Sequence, residues 1–177
     1  LLFQYYPGYT GHIRFNGQEV RDIDRTALYR RVGYIAQKTV LFNDTLRNNI
    51  CLREDFSDEQ LARAVENAGL TTWVKSLPDG LDTVISEGGK NLSGGQCQRI
   101  GIARLALRQY DLVIADEITA SLDPDTAQQV MQNLLSLPCM AIVITHDVSN
   151  SMMGRFDKIY RVFSDGKTSE CNKVRLL

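Results

Sequence analysis

Two adjacent carboxylates, Asp116 and Glu117, follow the apolar run Leu112-Val113-Ile114-Ala115. A short apolar run of this kind reads as a buried strand. That would place both acids at the strand's C-terminal end, where open α/β sheets bind their ligands. Hard cations prefer carboxylate oxygens, so Asp116 suits Mg2+, held directly or through water. Glu117 suits the polarising of an attacking water in phosphoryl transfer, where positioning and electrostatics dominate. Taken alone, the pair reads as readily as two acids that open a loop after any buried strand.

A second candidate precedes it. Asn91-Leu92-Ser93-Gly94-Gly95-Gln96 leads into a segment with apolar residues at Ile100, Ala103, Leu105 and Leu107, the pattern of a helix. A helix start built from Ser and two glycines exposes backbone N–H groups with the positive end of the helix dipole behind them, which suits a terminal phosphate. An isolated Ser-Gly-Gly is also an ordinary Ser-capped helix. A third candidate, His146, ends the run Ile142-Val143-Ile144-Thr145. A neutral imidazole there can bond a phosphate oxygen or a water, although a lone histidine is more often structural, as His12 is read to be.

These groups need a scaffold. Leu1–Tyr6 reads as a helix end, followed by the turn residues Pro7-Gly8 and Gly11. His12–Phe15 alternates as a strand, and Asn16-Gly17 signals a hairpin. Arg31–Ala36 reads as a strand ending at Gln37. Residues 57–76 are helical in pattern, with Ser57 and Gln60 at capping-box spacing and Leu61, Ala64, Val65 and Ala68 on one face. Residues 126–137 are again helical, and Ala141–Thr145 reads as a buried strand. Alternating strands and helices predict an α/β domain with a mainly parallel sheet.

Bulk properties agree. The 177 residues are 44% hydrophobic and 23% charged, with a net charge of −1, as expected of a globular domain able to bury a core. The charge balance argues against a dedicated nucleic-acid binder, and Arg25, Arg30 and Arg31 read as a solvated helix face. No apolar run approaches the ~20 residues that span a bilayer, and no signal-peptide pattern opens the chain. Cys51, Cys97, Cys139 and Cys171 lack zinc or redox spacing and are expected to be free thiols.

The order of the motifs resembles the ATP-binding cassette (ABC) family over nearly the whole chain. Leu92-Ser93-Gly94-Gly95-Gln96 matches its signature motif, Leu112–Glu117 its Walker B strand and Ser121-Leu122-Asp123 its D-loop. His146 matches its switch histidine, and Gln37, after Val32-Gly33-Tyr34-Ile35-Ala36, its Q-loop glutamine. The resemblance implies a P-loop NTPase-like (RecA-like) fold. Residues 1–37 and 108–177 would form the catalytic α/β core, and 38–107 the Q-loop plus an inserted helical signature subdomain. It implies ATP and Mg2+ as ligands and a head-to-tail dimer with a second nucleotide-binding domain. Glu117 would be the catalytic base and His146 the γ-phosphate sensor. Asp116 and Gln37 would serve Mg2+. Ser93, Gly94, Gly95 and Gln96 would complete the partner's nucleotide site, and Ser121 and Asp123 would link the two sites. Transmembrane domains would be further partners, at the cytoplasmic face of a membrane. Residues 40–50 and Thr83–Gly89 are similar to exporters; His146-Asp147 is more familiar from importers. A soluble ABC-type ATPase acting on DNA or ribosomes, or a non-hydrolysing dimerisation module, is the alternative.

One expected part is not in the sequence. No G-x-x-x-x-G-K-[ST] phosphate loop occurs. Gly166-Lys167-Thr168 mimics its tail, but Arg161 stands where the first glycine belongs. These 177 residues alone are therefore expected to bind ATP weakly and not to turn it over. The family's N-terminal strands are also unmatched, and the strand leading into the phosphate loop is expected beside the Walker B strand, so that its loss would bare apolar sheet edges.

Overall fold

In the computed structural model, Asn16 and Gly17 both take positive φ values, 49° and 82°. That pair of conformations is what a two-residue hairpin turn demands, and it joins β1 (Arg14–Phe15) to β2 (Gln18–Glu19) in antiparallel register. The structure describes residues 1–6, 8–146, 153–163 and 167–171. They fall into two compact units, divided after Ile144.

In the first unit, Asp24 caps α1 (Arg25–Arg31), which runs directly into β3 (Val32–Ile35). The short strand β4 (Asp44–Thr45) leads into α2 (Leu46–Cys51). Ser57 and Gln60 form the anticipated capping box at the start of α3 (Asp58–Asn67). Leu61, Ala64, Val65 and Ala68 are all buried. Gly69, at φ +65°, ends that helix, and α4 (Thr71–Ser76) follows. β5 (Val84–Ile85) pairs antiparallel with β4. Then come α5 (Gly94–Ala106), β6 (Leu112–Asp116), α6 (Pro124–Leu135) and β7 (Met140–Ile144).

The central sheet has the order β3-β6-β7, all parallel, with Ile35 opposite Ala115 and Asp116 opposite Ile144. Phe15, Val20, Leu28, Val32 and Leu112 form one buried cluster, against which Leu2, Phe3, Ile13, Ile23 and Ile114 pack. Cys51, Cys97 and Cys139 are free thiols. Burial pushes each of these thiols above its ordinary pKa.

Three sequence expectations are corrected. Leu1–Tyr6 forms turns and bends, not a helix end. Gln4 takes φ +56°, and its side-chain amide donates to Val20 O at 2.5 Å and Ile23 O at 2.9 Å. That anchoring holds a left-handed residue where a helix would need a right-handed one. The strand after α6 is not buried: Met140, Ile142 and Ile144 are exposed, and Ala141 and Val143 are only half-buried. Among the described residues β7 pairs with β6 alone, which leaves one side of it uncovered. Finally, β6 is paired on both sides, by β3 and β7, so no strand position beside it is open; the apolar exposure falls on β7.

The second unit, by itself, contains the antiparallel pair β8 (Ile159–Val162) and β9 (Thr168–Cys171). Phe163 N–H donates to Lys167 O at 2.9 Å. Lys167-Thr168 thus opens a strand and not a helix, which is incompatible with a phosphate loop there; Gly166 lies outside the described residues.

Candidate nucleotide site

Parallel pairing puts the C-terminal ends of β3 and β6 at the same edge of the sheet. Gln37 follows the first and is exposed; Asp116 ends the second and is half-buried, as is Glu117. This is the edge at which α/β sheets bind ligands. The Tyr34 hydroxyl, on β3, donates to Asp116 Oδ2 at 3.0 Å. Burial first, then that bond to a carboxylate, raises the Tyr34 phenol above its ordinary pKa. The ring of Phe3 meets Tyr34 edge-on, with centroids 5.8 Å apart.

Glu117 extends the β6–β7 ladder by one bond, its N–H donating to Ile144 O at 2.9 Å. It does so at φ +49°, a left-handed conformation that costs a non-glycine residue energy and is found disproportionately at working sites. Ala120 N–H then donates to Glu117 O, and Leu122 N–H to Thr119 O. These tight turns deliver Asp123 to the N-cap of α6, with Pro124 at the first helical position. The Asp123 carboxylate accepts from Thr126 N–H at 3.0 Å. That backbone bond, followed by the Thr126 side chain, holds its pKa below the ordinary value.

The signature turn sits against this loop. Ser93 caps α5 by accepting from Gln96 N–H at 3.2 Å, while Gln96 Oε1 accepts from Ser93 N–H at 2.8 Å. The box consumes the third helical N–H; those of Gly94 and Gly95, at the first two helical positions, have no partner within the helix. A Cβ on Gly94 would lie 3.2 Å from Leu122 Cδ2, and one on Gly95 only 2.4 Å from Thr126 Cγ2. The glycines are there because α5 begins hard against the 121–126 segment.

The structure thus brings the expected residues into two groups within the first unit. Gln37, Asp116 and Glu117 share the carboxyl edge of the sheet. Ser93, Gly94, Gly95 and Gln96 adjoin Ser121, Leu122 and Asp123, and the segment from Glu117 to Asp123 connects the groups. His146 belongs to the second unit, two residues beyond the end of β7, and is exposed.

Among the described residues, no three His, Cys, Asp or Glu side chains gather as a metal cluster. Mg2+ does not require one. It keeps several waters and is commonly held by one or two carboxylates together with substrate phosphates. One carboxylate, Asp116, and one amide oxygen, from Gln37, fit that sparse donor set.

Two neighbours of the site escaped the sequence reading. Gln98 is a polar residue 5% exposed on the buried stripe of α5, shared with Gly101, Ile102 and Leu105. Its Nε2 donates to Gln37 O, and its Oε1 accepts from Thr39 Oγ1 at 3.0 Å. A glutamine at apolar helical spacing was the available signal. Tyr34, in an otherwise buried strand, gave no comparable one.

Comparison with known proteins agrees with this geometry. A family model described as ABC transporter matches residues 1–120. An ATP-dependent lipid A-core flippase of Desulfotalea psychrophila is 41% identical over 128 residues, covering 72% of this chain and 22% of the flippase. The mitochondrial iron-sulfur clusters transporter atm1 of Aspergillus fumigatus is 38% identical over 138 residues, covering 77% of this chain and 19% of the transporter. A solved bacterial Atm1-family ABC exporter with ATP bound superposes with a TM-score of 0.80 at 32% identity, over 90% of this chain and 28% of the exporter. The fold is therefore the P-loop NTPase-like α/β fold. The chain spans about a quarter or less of the length of the curated relatives it matches.

Proposed function

Because the chain belongs to the ABC transporter family, we propose that it is part of the ATP-hydrolysing domain of a membrane exporter. The observation that carries this reading is the shared carboxyl edge, with Asp116 and Glu117 at the end of β6 and Gln37 beyond the end of its parallel neighbour β3. A nucleotide's terminal phosphate at that edge would meet a metal-holding carboxylate, an amide oxygen and a carboxylate base together.

In this reading Asp116 and Gln37 would hold Mg2+, which when bound would offset charge developing on the phosphates. Glu117 accepts a proton from water as the water oxygen attacks the γ-phosphorus. The bond from that phosphorus to the β–γ bridging oxygen breaks, and ADP and phosphate leave. His146 keeps the γ-phosphate-sensing role that the family resemblance implies. Ser93 and the N–H groups of Gly94 and Gly95 face the γ-phosphate of a second nucleotide-binding domain docked head to tail. The contact of Gly94 with Leu122 supports that arrangement, since it ties the signature turn to the Ser121–Asp123 loop that would link the two sites.

A docking surface for transmembrane partners is also supported. The β4–β5 pairing joins residues 44–45 to 84–85, and Gly88 N–H donates to Leu41 O. Val40, Phe42 and Val84 are exposed around this junction, at 66%, 54% and 61%. Apolar side chains clustered in the open mark interaction sites. No helix among the described residues is long and apolar enough to cross a membrane. The likeness to membrane exporters supports a place for the domain at the cytoplasmic face, beside transmembrane partners. The test is Glu117→Gln in the full-length protein. ATP turnover should fall by at least a hundredfold while equilibrium ATP binding persists. Undiminished turnover would refute the assignment of Glu117 as base.

A further inference from the structure

We propose that Gln98 is a positioning residue that ties the segment carrying Gln37 to the signature helix, so that the pose of Gln37 and that of the Ser93–Gly95 turn depend on one another. The inference rests on the reading of Gln37 as part of the nucleotide site.

Both polar ends of the Gln98 amide are spent on one short segment. Its Nε2 donates to Gln37 O, and its Oε1 accepts from Thr39 Oγ1. The side chain is 5% exposed, so water cannot readily replace either bond. Losing the amide would take both bonds from the Gln37 carbonyl and the Thr39 hydroxyl at a partly buried contact, where unpaired polar groups carry a cost. One turn further along α5, a Cβ on Gly101 would lie 2.7 Å from Ile35 Cδ1 and 2.9 Å from Thr39 Oγ1. The helix backbone therefore lies directly against the end of β3 and the chain that leaves it.

The far end of the same segment is fixed to the same helix. Arg104 Nε donates to Asn49 O at 2.6 Å. The Asn49 side chain in turn accepts from Phe42 N–H at 2.9 Å and donates to Phe42 O at 3.0 Å. Two side chains of α5, Gln98 and Arg104, thus clamp residues 37–49 at both ends. The capped N-terminus of that helix is the Ser93–Gly95 turn, about one and a half turns upstream of Gln98. A helix is stiff over that distance, so a shift at Gln37 is borne by the element that aims the signature turn.

The test is a double-mutant cycle in the full-length protein with Gln37→Ala and Gln98→Met, read by ATP turnover, together with amide hydrogen exchange across residues 36–42 without nucleotide or metal. Gln98→Met should slow turnover by about 5- to 50-fold, and the double variant should be no slower than the slower single one, the non-additivity expected of residues acting as a unit. Exchange in 36–42 should quicken at least fivefold while α5 keeps its protection. Additive losses, or unchanged exchange, would overturn the proposal. Should Gln98→Met fail to fold, Thr39→Val removes one of the two bonds from the loop side, and quickened exchange confined to 36–42 is again required. If Gln37→Ala leaves turnover intact, the assigned role of Gln37 fails, while exchange still decides whether Gln98 holds the loop.

Discussion

The Tyr34 hydroxyl bonds Asp116 Oδ2 across the β3–β6 pair, and the Phe3 ring meets the Tyr34 ring edge-on. The carboxylate assigned to the metal is therefore oriented by a side chain from the neighbouring strand. Tyr34→Phe keeps the ring contact and deletes only the bond. Tyr34 is half exposed, so the loss should be at the lower end for a hydrogen bond, about 0.5–1 kcal/mol. For a chain of this length that corresponds to a fall in Tm of about 1–4 °C. Thermal melts of Tyr34→Phe, Asp116→Asn and the double variant check it. Melting losses that simply add would mean the two side chains do not interact in solution.

How far the sequence reached is visible in particular elements. The Asn16-Gly17 turn, the Ser57 and Ser93 helix starts and the β6 strand were legible because each is a local decision, set by φ preferences, capping chemistry or apolar runs. Leu1–Tyr6 was misread because Gln4 is held by Val20 and Ile23, partners distant in sequence. β7 was misread because an apolar run cannot say whether its strand lies inside a sheet or at its edge. Motif order singled out Asp116, Glu117, Ser93 and Gln37 as candidates. It could not reveal that Gln98 grips the Gln37 backbone, or that Gly95 is required by Thr126, since both follow from how α5 packs on its neighbours.

That packing makes a sharp prediction at Gly95. An added Cβ would sit 2.4 Å from Thr126 Cγ2, closer than any real contact. Thr126 is β-branched and helical, which restricts the χ1 rotamers by which it could yield. Gly95→Ala should cost about 1–3 kcal/mol by overpacking. Thr126→Ser removes the offending methyl while keeping a hydroxyl. The double variant Gly95→Ala/Thr126→Ser should recover most of the loss. Denaturant midpoints of the three variants measure it, and a Gly95→Ala midpoint equal to the parent's would show that the helix start is not packed as described.

Asp123 gives a pH dependence of known sign. The Thr126 backbone N–H, then the Thr126 side chain, hold its folded pKa below the ordinary carboxylate value. The unfolded chain therefore binds this proton at a higher pH than the folded one does. The stability it contributes is present above the ordinary aspartate range and disappears as pH falls through the depressed folded value. Asp123→Asn retains a capping oxygen but lacks the charge that favours a helix N-terminus. At neutral pH the parent should melt above Asp123→Asn, and the gap should close on acidification. A gap that stayed constant from neutral to acid pH would show that the carboxylate's charge plays no part in the cap.

Glu117 offers the clearest separation of stability from function. Its φ of +49° suits glycine, which pays no Cβ penalty there. Glu117→Gly and Glu117→Ala both delete the carboxylate assigned as catalytic base, so both should abolish ATP turnover in the full-length protein. Only glycine also relieves the backbone. At an ordinary position alanine is the more stabilising residue, because glycine loses more freedom on folding. Here the order should reverse, with Glu117→Gly more stable than Glu117→Ala by about 1 kcal/mol. Chemical denaturation of the two variants side by side is the measurement. If alanine matches or exceeds glycine, Glu117 is not strained, and its backbone conformation holds no energy in reserve for the site.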